Sequence, residues 1–382
     1  MNLHSHLCQF LDAHPTDWEQ LLTEQYGLRI KWDGELAIFN YQIACDFHDP
    51  IVQEARGIIL DTARREVVCW PFRKFGNYNE SYADTVDWST ARVLEKVDGS
   101  IIKLWYDFAA DRWQFSTNGT IRAEQANVDG HVGLSFGDVL FRAENYGAIP
   151  FDRLDRSYTY IFELVSPETQ VVVNYGKTAL YHLGTRHNRT GQECEMEIGV
   201  QKPASYPLHS LSDCVRAAVK LNEGTADTVI EREGFVVVDG NYHRVKIKSP
   251  DYIMMHHLHQ NAIPSRAECL EILTSSRGDI GGLCKANPNL AHVFKYYDYQ
   301  LAELCHRADR IAELARKLYA EYGERKAVAK VLLRHPLYHI GFLALDREEK
   351  GREILLALPL SRLEKLIPQY TPDDLNKLFA EA

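Results

Sequence analysis

The hydrophobic pattern of this 382-residue chain changes period at Pro250. From about Gly27 to Ser249 the apolar residues fall in short β-rich runs broken by turn residues, the texture of strands. Beyond Pro250, Leu301, Leu304, Ala308, Ile311, Leu314, Ala315 and Leu318 recur mostly at spacings of three and four. That spacing predicts an amphipathic helix of about 20 residues. Ala327 to Leu333 and Glu353 to Leu358 read as helices too. Thr371-Pro372 ahead of Leu375, Leu378 and Phe379 reads as N-cap, first helical residue and buried stripe. The length exceeds what one hydrophobic core organises, so two domains are expected, 1–249 and an all-helical 250–382.

The composition, 45% hydrophobic and 25% charged, is that of an ordinary globular protein. No stretch approaches the roughly 20 apolar residues of a membrane span. The start, with His4, His6 and Asp12, lacks the cationic-then-apolar pattern of a signal peptide, so a cytosolic location is expected. The cysteines at 8, 45, 69, 194, 214, 269, 284 and 305 form no CxxC pair, which argues for reduced thiols and against a zinc ribbon. The run Met255-His256-His257-Leu258-His259 suggests a metal cluster, but adjacent histidines on a regular element point in different directions. No transition metal is assigned. A net charge of −10 excludes a broadly basic surface, so any nucleic acid must be met in a confined cationic cleft.

Near the end of the first part, Phe235 to Val238 and Arg244 to Lys248 flank Asp239-Gly240-Asn241-Tyr242, a hairpin signal. In the second strand Val245 and Ile247 share one face, and Lys246 and Lys248 share the other. Two ammonium groups on one face either lie in water or face an anion. Lys96-Val97-Asp98-Gly99-Ser100 precedes the strand Ile101 to Tyr106. A lysine at such a junction, beside a glycine that admits close backbone approach, can present its amine to a phosphate. The same five residues also describe a surface turn. Downstream stand Glu163 within the apolar Phe162-Glu163-Leu164-Val165, then Glu233, then the lysine pair. A carboxylate in a buried strand needs a partner to offset its desolvation, and a divalent cation, a ribose hydroxyl or a salt bridge would each serve.

On these residues the chain resembles the covalent nucleotidyltransferases, which comprise DNA ligases, RNA ligases and capping enzymes, and within them the bacteriophage T4 RNA ligase 1 family. Lys96 to Ser100 matches motif I, Phe162 to Val165 motif III, Glu233-Gly234-Phe235 motif IV and Lys246-Ile247-Lys248 motif V. Ala55-Arg56-Gly57-Ile58, Pro71 to Phe75, Gly119 to Ala126 and Ser166-Pro167 have counterparts in order. A helical C-terminal third also fits the narrower family, because DNA ligases and capping enzymes follow motif V with an OB-fold barrel.

The resemblance implies an α+β fold, an ATP-grasp-like nucleotidyltransferase of antiparallel sheets with helices, followed by an all-α C-terminal domain. It implies an ATP-dependent RNA ligase that joins 5′-phosphate and 3′-hydroxyl RNA ends through AMP carried on Lys96, with magnesium as the metal. Lys96, Lys246, Lys248, Glu163 and Glu233 would be catalytic, and Glu163 and Glu233 would organise the metal. Tyr41, Arg56, Lys74, Asp98 and Gly99, with Glu163 and the two lysines, would surround the nucleotide; for Arg56, Lys74 and Tyr41 a structural role stands beside the ligand contact. Lys246, Lys248 and magnesium would keep the Lys96 amine neutral by like-charge repulsion. Asp98 would orient the motif I turn or a metal-bound water. Asn118 stands where a relative carries lysine, and a neutral amide cannot replace that charge. Glu95, beside the nucleophile, is left out of the catalytic set. In the helical part Lys326, Lys330 and Arg334, with Arg325 beside them, form a cationic stripe, either a solvated face or RNA-binding surface. The family's substrates imply tRNA with a broken anticodon loop, and an end-healing kinase/phosphatase as partner. The alternatives are a DNA ligase or guanylyltransferase, and a catalytically silent RNA-binding relative.

Overall fold

Alternation of apolar and polar side chains sets the strands, and the turns between them set the sheets. A computed structural model of the chain describes residues 5–42, 44–222, 230–259, 265–275 and 290–370. The helix expected after Thr371 lies outside them. The chain divides into two compact units, residues 1–252 and 253–382.

The first unit carries thirteen strands among the described residues: β1 (Arg29–Asp33), β2 (Leu36–Asn40), β3 (Arg56–Asp61), β4 (Glu66–Cys69), β5 (Arg92–Lys96), β6 (Ser100–Asp107), β7 (Arg112–Thr117), β8 (Tyr158–Val165), β9 (Ala179–His187), β10 (Glu193–Cys194), β11 (Ser205–Tyr206), β12 (Gly234–Val238) and β13 (Arg244–Lys248). They form three antiparallel sheets ordered β1-β2-β3-β4, β10-β9-β8-β6-β7 and β11-β5-β12-β13. Each sheet buries one face under its own helix or helices. In the first, Phe39, Ile58 and Leu60 pack on Leu7, Leu11 and Leu22 of the helices His6–Ala13 and Trp18–Glu24. In the second, Leu104, Phe162 and Leu164 meet Val139 and Leu140 of the helix Phe136–Phe141, whose start Ser135 and Asp138 close as a capping box. In the third, Val93, Phe235, Val237, Val245 and Ile247 meet Cys214 and Ala218 of the helix Leu211–Val219. Each large apolar side chain so buried contributes about 1.5–3 kcal/mol.

The expected hairpin is present as β12 and β13, with Val245 and Ile247 facing inward. Its turn differs in detail. The positive backbone angle falls on Tyr242 (φ 63°) and not on Gly240, because the Asp239 carboxylate accepts the Asn241 and His243 amides at 2.9 Å each and fixes the loop itself. A second cluster, Phe72, Phe75 and Ile161 with Ile101, Leu183 and Val236, joins the second sheet to the third. The free faces of those two sheets therefore meet, and the end of that junction is where β5 delivers Lys96.

In the second unit every element among the described residues is a helix. The longest, Ala291–Tyr322, spans 32 residues and not about 20. The buried stripe begins earlier than the leucines show, because Val293, Phe294, Tyr296 and Tyr297 extend it by two turns. Gly323, in the left-handed region at φ 66°, ends it. Lys326, Lys330 and Arg334 are exposed. The seven described cysteines are free thiols, and no helix among the described residues is long and apolar enough to cross a membrane.

Gly351 begins the helix Gly351–Leu356 against the backbone of the long helix, and a Cβ there would lie 2.1 Å from the Ala308 carbonyl oxygen. Gly351→Ala is therefore expected to destabilise the helical unit by about 1–3 kcal/mol, read by urea unfolding. An unchanged transition would contradict this packing.

Candidate active site

Three strand ends meet at one position. Gly234 pairs with Lys96 on one side and with Lys248 on the other. It must be glycine, since a Cβ would sit 2.1 Å from the Ile247 carbonyl oxygen and 2.7 Å from Lys248 Cα. The two lysines thus flank a bare backbone, and the neighbouring residue, Glu233, reaches both. Its Oε2 accepts from Lys96 Nζ at 2.6 Å, and its Oε1 lies 3.5 Å from Lys248 Nζ. Glu233 is 2% exposed, so the contact is poorly screened.

Glu163 arrives from β8 opposite Ile101. Gly99 lets β6 and β8 close up there, for a Cβ at 99 would lie 2.4 Å from the Leu164 carbonyl oxygen and 3.1 Å from Glu163 Cγ. Glu163 is buried, and among the described residues it forms no ion pair. Burial first, then the neighbouring Glu233 and Asp98 charges, push its carboxyl up to about 8, against the opposing pull of Lys96 and Arg56.

The electrostatics of Lys96 run opposite to the expectation of a neutral amine. Burial works to lower its pKa, but Glu233, Glu163 and Asp98 outweigh burial and hold it above the ordinary value, so the amine is charged. The reason is contact: a carboxylate touches the amine, and Lys248 is engaged by that same carboxylate. Lys246 carries the depressed pKa instead, held well below the ordinary lysine value by burial and then by Arg56, Lys96, Lys74 and Lys248. Its amine lies 4.7 Å from the centre of the Phe75 ring, which also carries the Arg56 guanidinium at 5.5 Å.

Of the groups above, Lys96, Gly99, Glu163 and Lys246 line a cavity of about 500 Å³, with Arg56, Phe75, Asn118 and Val236 among its walls; Glu233 and Lys248 stand beside Lys96, outside that lining. Its size suits a nucleotide. Glu95, set aside in the sequence reading, lines it as well.

Three expected site residues stand elsewhere. The Lys74 ammonium sits among the rings of Tyr41, Phe47 and Tyr82, at 5.2, 4.8 and 5.9 Å from their centres. Tyr41 therefore supports Lys74 and does not line the cavity, and Lys74 acts there as a distant charge on Lys246. Asp98 is not a nucleotide contact either, because its carboxylate is already engaged. Oδ2 accepts from the amides of Val172 and Val173 at 2.9 and 2.7 Å, and Oδ1 from the Tyr252 hydroxyl at 2.7 Å. Its own amide donates to the Tyr175 hydroxyl at 2.9 Å. Asp98 braces the loop after Lys96. Tyr252 was invisible to sequence reasoning because nothing local marks a partner 154 residues away.

The donor set fits one hydrated divalent cation shared with a ligand. Glu163 and Glu233 are the two carboxylates at hand, and no group of three or more His, Cys, Asp or Glu side chains able to hold a metal occurs among the described residues. Magnesium is bound in that way, by one or two carboxylates completed by phosphate and water.

A family model described as RNA ligase matches residues 54–252. A protein of Autographa californica nuclear polyhedrosis virus, named as a bifunctional polynucleotide kinase/RNA ligase, is 29% identical over 259 residues, covering 62% of this chain and 36% of that protein. The chain thus spans about a third of that relative. An RNA ligase of Rhodothermus phage RM378 is 24% identical over 301 residues, 63% of this chain and 68% of the relative. A Thermovibrio ammonificans protein, named as an RNA ligase, is 26% identical over 342 residues, 85% and 83% of the two chains.

Asp98→Ala strands two amides and a hydroxyl, each costing about 1–3 kcal/mol when buried without a partner. A loss of at least about 3 kcal/mol in urea unfolding is expected, with a smaller loss for Asp98→Asn; an unaffected alanine variant would show that the brace carries nothing. The raised Glu163 carboxyl has a definite sign. Its contribution to stability is full below its unfolded pKa, near 4.3, and is lost as pH rises through about 8. A divalent cation held by Glu163 would have to displace that proton, so divalent-cation binding is expected to be tighter at pH 9 than at about pH 6. Calorimetric titration showing equal affinity at both would remove Glu163 from the metal site.

Proposed function

This chain belongs to the RNA ligase family, and from that premise we propose that it is an ATP-dependent RNA ligase that adenylates itself on Lys96. The observation that carries the reading is the convergence of Lys96 with Glu233 and Lys248, and of Lys96 with Glu163 and Lys246 in the lining of one cavity. Lys96, Glu163 and the Lys246/Lys248 pair lie on three strands, Glu233 just ahead of a fourth, and they meet only in the fold.

In the first step the Lys96 nitrogen forms a bond to the α-phosphorus of ATP, the bond from that phosphorus to the bridging oxygen breaks, and pyrophosphate leaves. The amine begins charged, so one proton must leave it first. Glu233 Oε2 is the acceptor already in contact, at 2.6 Å. Lys246, Lys248 and Arg56 hold the triphosphate and balance the charge that grows on pyrophosphate. Glu163 and Glu233 would hold a magnesium ion, which would supply further charge neutralisation of the phosphates.

In the second step an oxygen of an RNA 5′-phosphate attacks the AMP phosphorus and the phosphorus–nitrogen bond breaks, restoring Lys96. In the third a 3′-hydroxyl attacks the activated 5′-phosphorus and AMP leaves. Residues 1–249 serve as the ATP-grasp-like ligase module. Residues 250–382 serve as an all-helical domain that holds the RNA, with Lys326, Lys330 and Arg334 toward the phosphates. A nicked tRNA is the substrate class we favour, and the kinase joined to a ligase in the viral relative's name supports end healing as the preceding reaction. The protein acts in the cytoplasm.

Incubation with labelled ATP or GTP tests the reading. The wild-type chain is expected to take covalent label from ATP and not from GTP, and to pass it to 5′-phosphorylated RNA. Lys96→Ala is expected to take none while still binding RNA. Label retained by that variant, or taken from GTP by the wild type, would overturn the assignment.

A further inference from the structure

Directly behind the cavity wall lies a lysine that the proposed reaction does not use. Lys103, on β6 opposite Ser116 and Ile161, is 0% exposed. Its ammonium donates to the Gly57 carbonyl at 2.6 Å, and no Asp or Glu pairs with it among the described residues. Burying an amine without a counter-charge is costly, and methionine or leucine would fill the same volume without that cost. Packing therefore does not account for it.

Its neighbours suggest what does. Gly57 has φ 80°, and a Cβ there would meet Lys103 Nζ at 2.6 Å and the Asn118 carbonyl oxygen at 2.8 Å. Three segments thus meet at one glycine: β3, β6 and the turn after β7. All three line the cavity, β3 through Arg56, β6 through Ser100 and Ile101, and the end of β7 with its turn through Thr117, Asn118 and Gly119. The Asn118 Oδ1 at this junction is buried with no hydrogen-bond partner, while Lys103 has further N–H donors beyond the one on Gly57. The junction is polar, and its positive charge comes from β6 because position 118 offers only a neutral amide. Burial, followed by the Arg56 charge, lowers the Lys103 pKa to about 8, so the amine remains largely charged at neutral pH.

We infer that Lys103 is a positioning residue of the nucleotide site: held on the Gly57 carbonyl, it ties β3 to the β6–β7 hairpin and fixes where Arg56 and Asn118 meet the nucleotide. The inference rests on the ligase reading and adds a determinant of ATP affinity to it. A positioning role that acts on binding alone raises the ATP concentration needed and leaves the chemical step intact.

The rate of Lys96 adenylation, measured against ATP concentration, separates these effects. For Lys103→Met the half-saturating ATP concentration is expected to rise about tenfold or more, the worth of a hydrogen bond to a charged group, with the plateau rate nearly unchanged. Lys103→Gln keeps a donor for the carbonyl without the charge, and is expected to fall between Met and wild type. Near-ultraviolet circular dichroism checks that each variant folds. A folded variant of either kind with the wild-type ATP dependence would overturn the inference, as would a lowered plateau at unchanged half-saturation. If neither variant folds, Lys103 serves the fold and the inference also fails. Absence of adduct in the wild type removes the ligase reading beneath it, whereas a wild-type adduct with a folded Lys103→Met whose ATP dependence is unchanged removes this inference alone.

Discussion

One buried carboxylate sets the geometry of the site. Glu233 holds Lys96 at 2.6 Å and Lys248 at 3.5 Å, and it can do so because Gly234 leaves no side chain between them. Removing either lysine alone would leave that carboxylate undercompensated away from water, a penalty of several kcal/mol. The other charges are arranged around this pair. Glu163 is kept from ionising by burial and by Glu233, and Lys246 is kept below its ordinary pKa by burial and by four cations. A triphosphate with its metal would reverse both pressures, giving Lys246 an anion and Glu163 a cation. The charges the chain brings together thus favour the ligand that the proposed reaction requires.

Much of this was legible in the sequence because it is local. The period of two in Arg244 to Lys248 placed Val245 and Ile247 inward and the lysines outward, and the sheet shows the same division. Lys96, Glu163, Glu233, Lys246 and Gly99 are isolated points in the sequence, three on strands and two on the connections beside them, and the fold brings them to one cavity or its edge.

What sequence could not supply were relations between distant residues. For Lys74 and Tyr41 the sequence leaves a ligand contact and a structural role side by side, and the chain folds Phe47 and Tyr82 beside them and uses the lysine as the centre of an aromatic cage. For Asp98 the sequence leaves open whether it orients the motif I turn or a metal-bound water, and the partners that engage it, Tyr252, Val172 and Val173, are distant in the chain. The charge on Lys96 was misjudged for a related reason. Counting nearby cations suggests a neutral amine, but a carboxylate in contact outweighs cations further off. Lys103 carried no signal, since a lysine in an apolar strand reads as an exposed alternate position until the fold places it at the core.

The state of the Lys96 amine tests this account most directly. Titration of isotopically labelled lysine side chains by nuclear magnetic resonance, with Lys96 assigned through its loss in a variant, gives that state in the ligand-free protein. The account requires Lys96 to deprotonate above the ordinary lysine value of about 10.4, and Lys246 to do so below it. A Lys96 amine that is already neutral near pH 7, with Lys246 unperturbed, would contradict it.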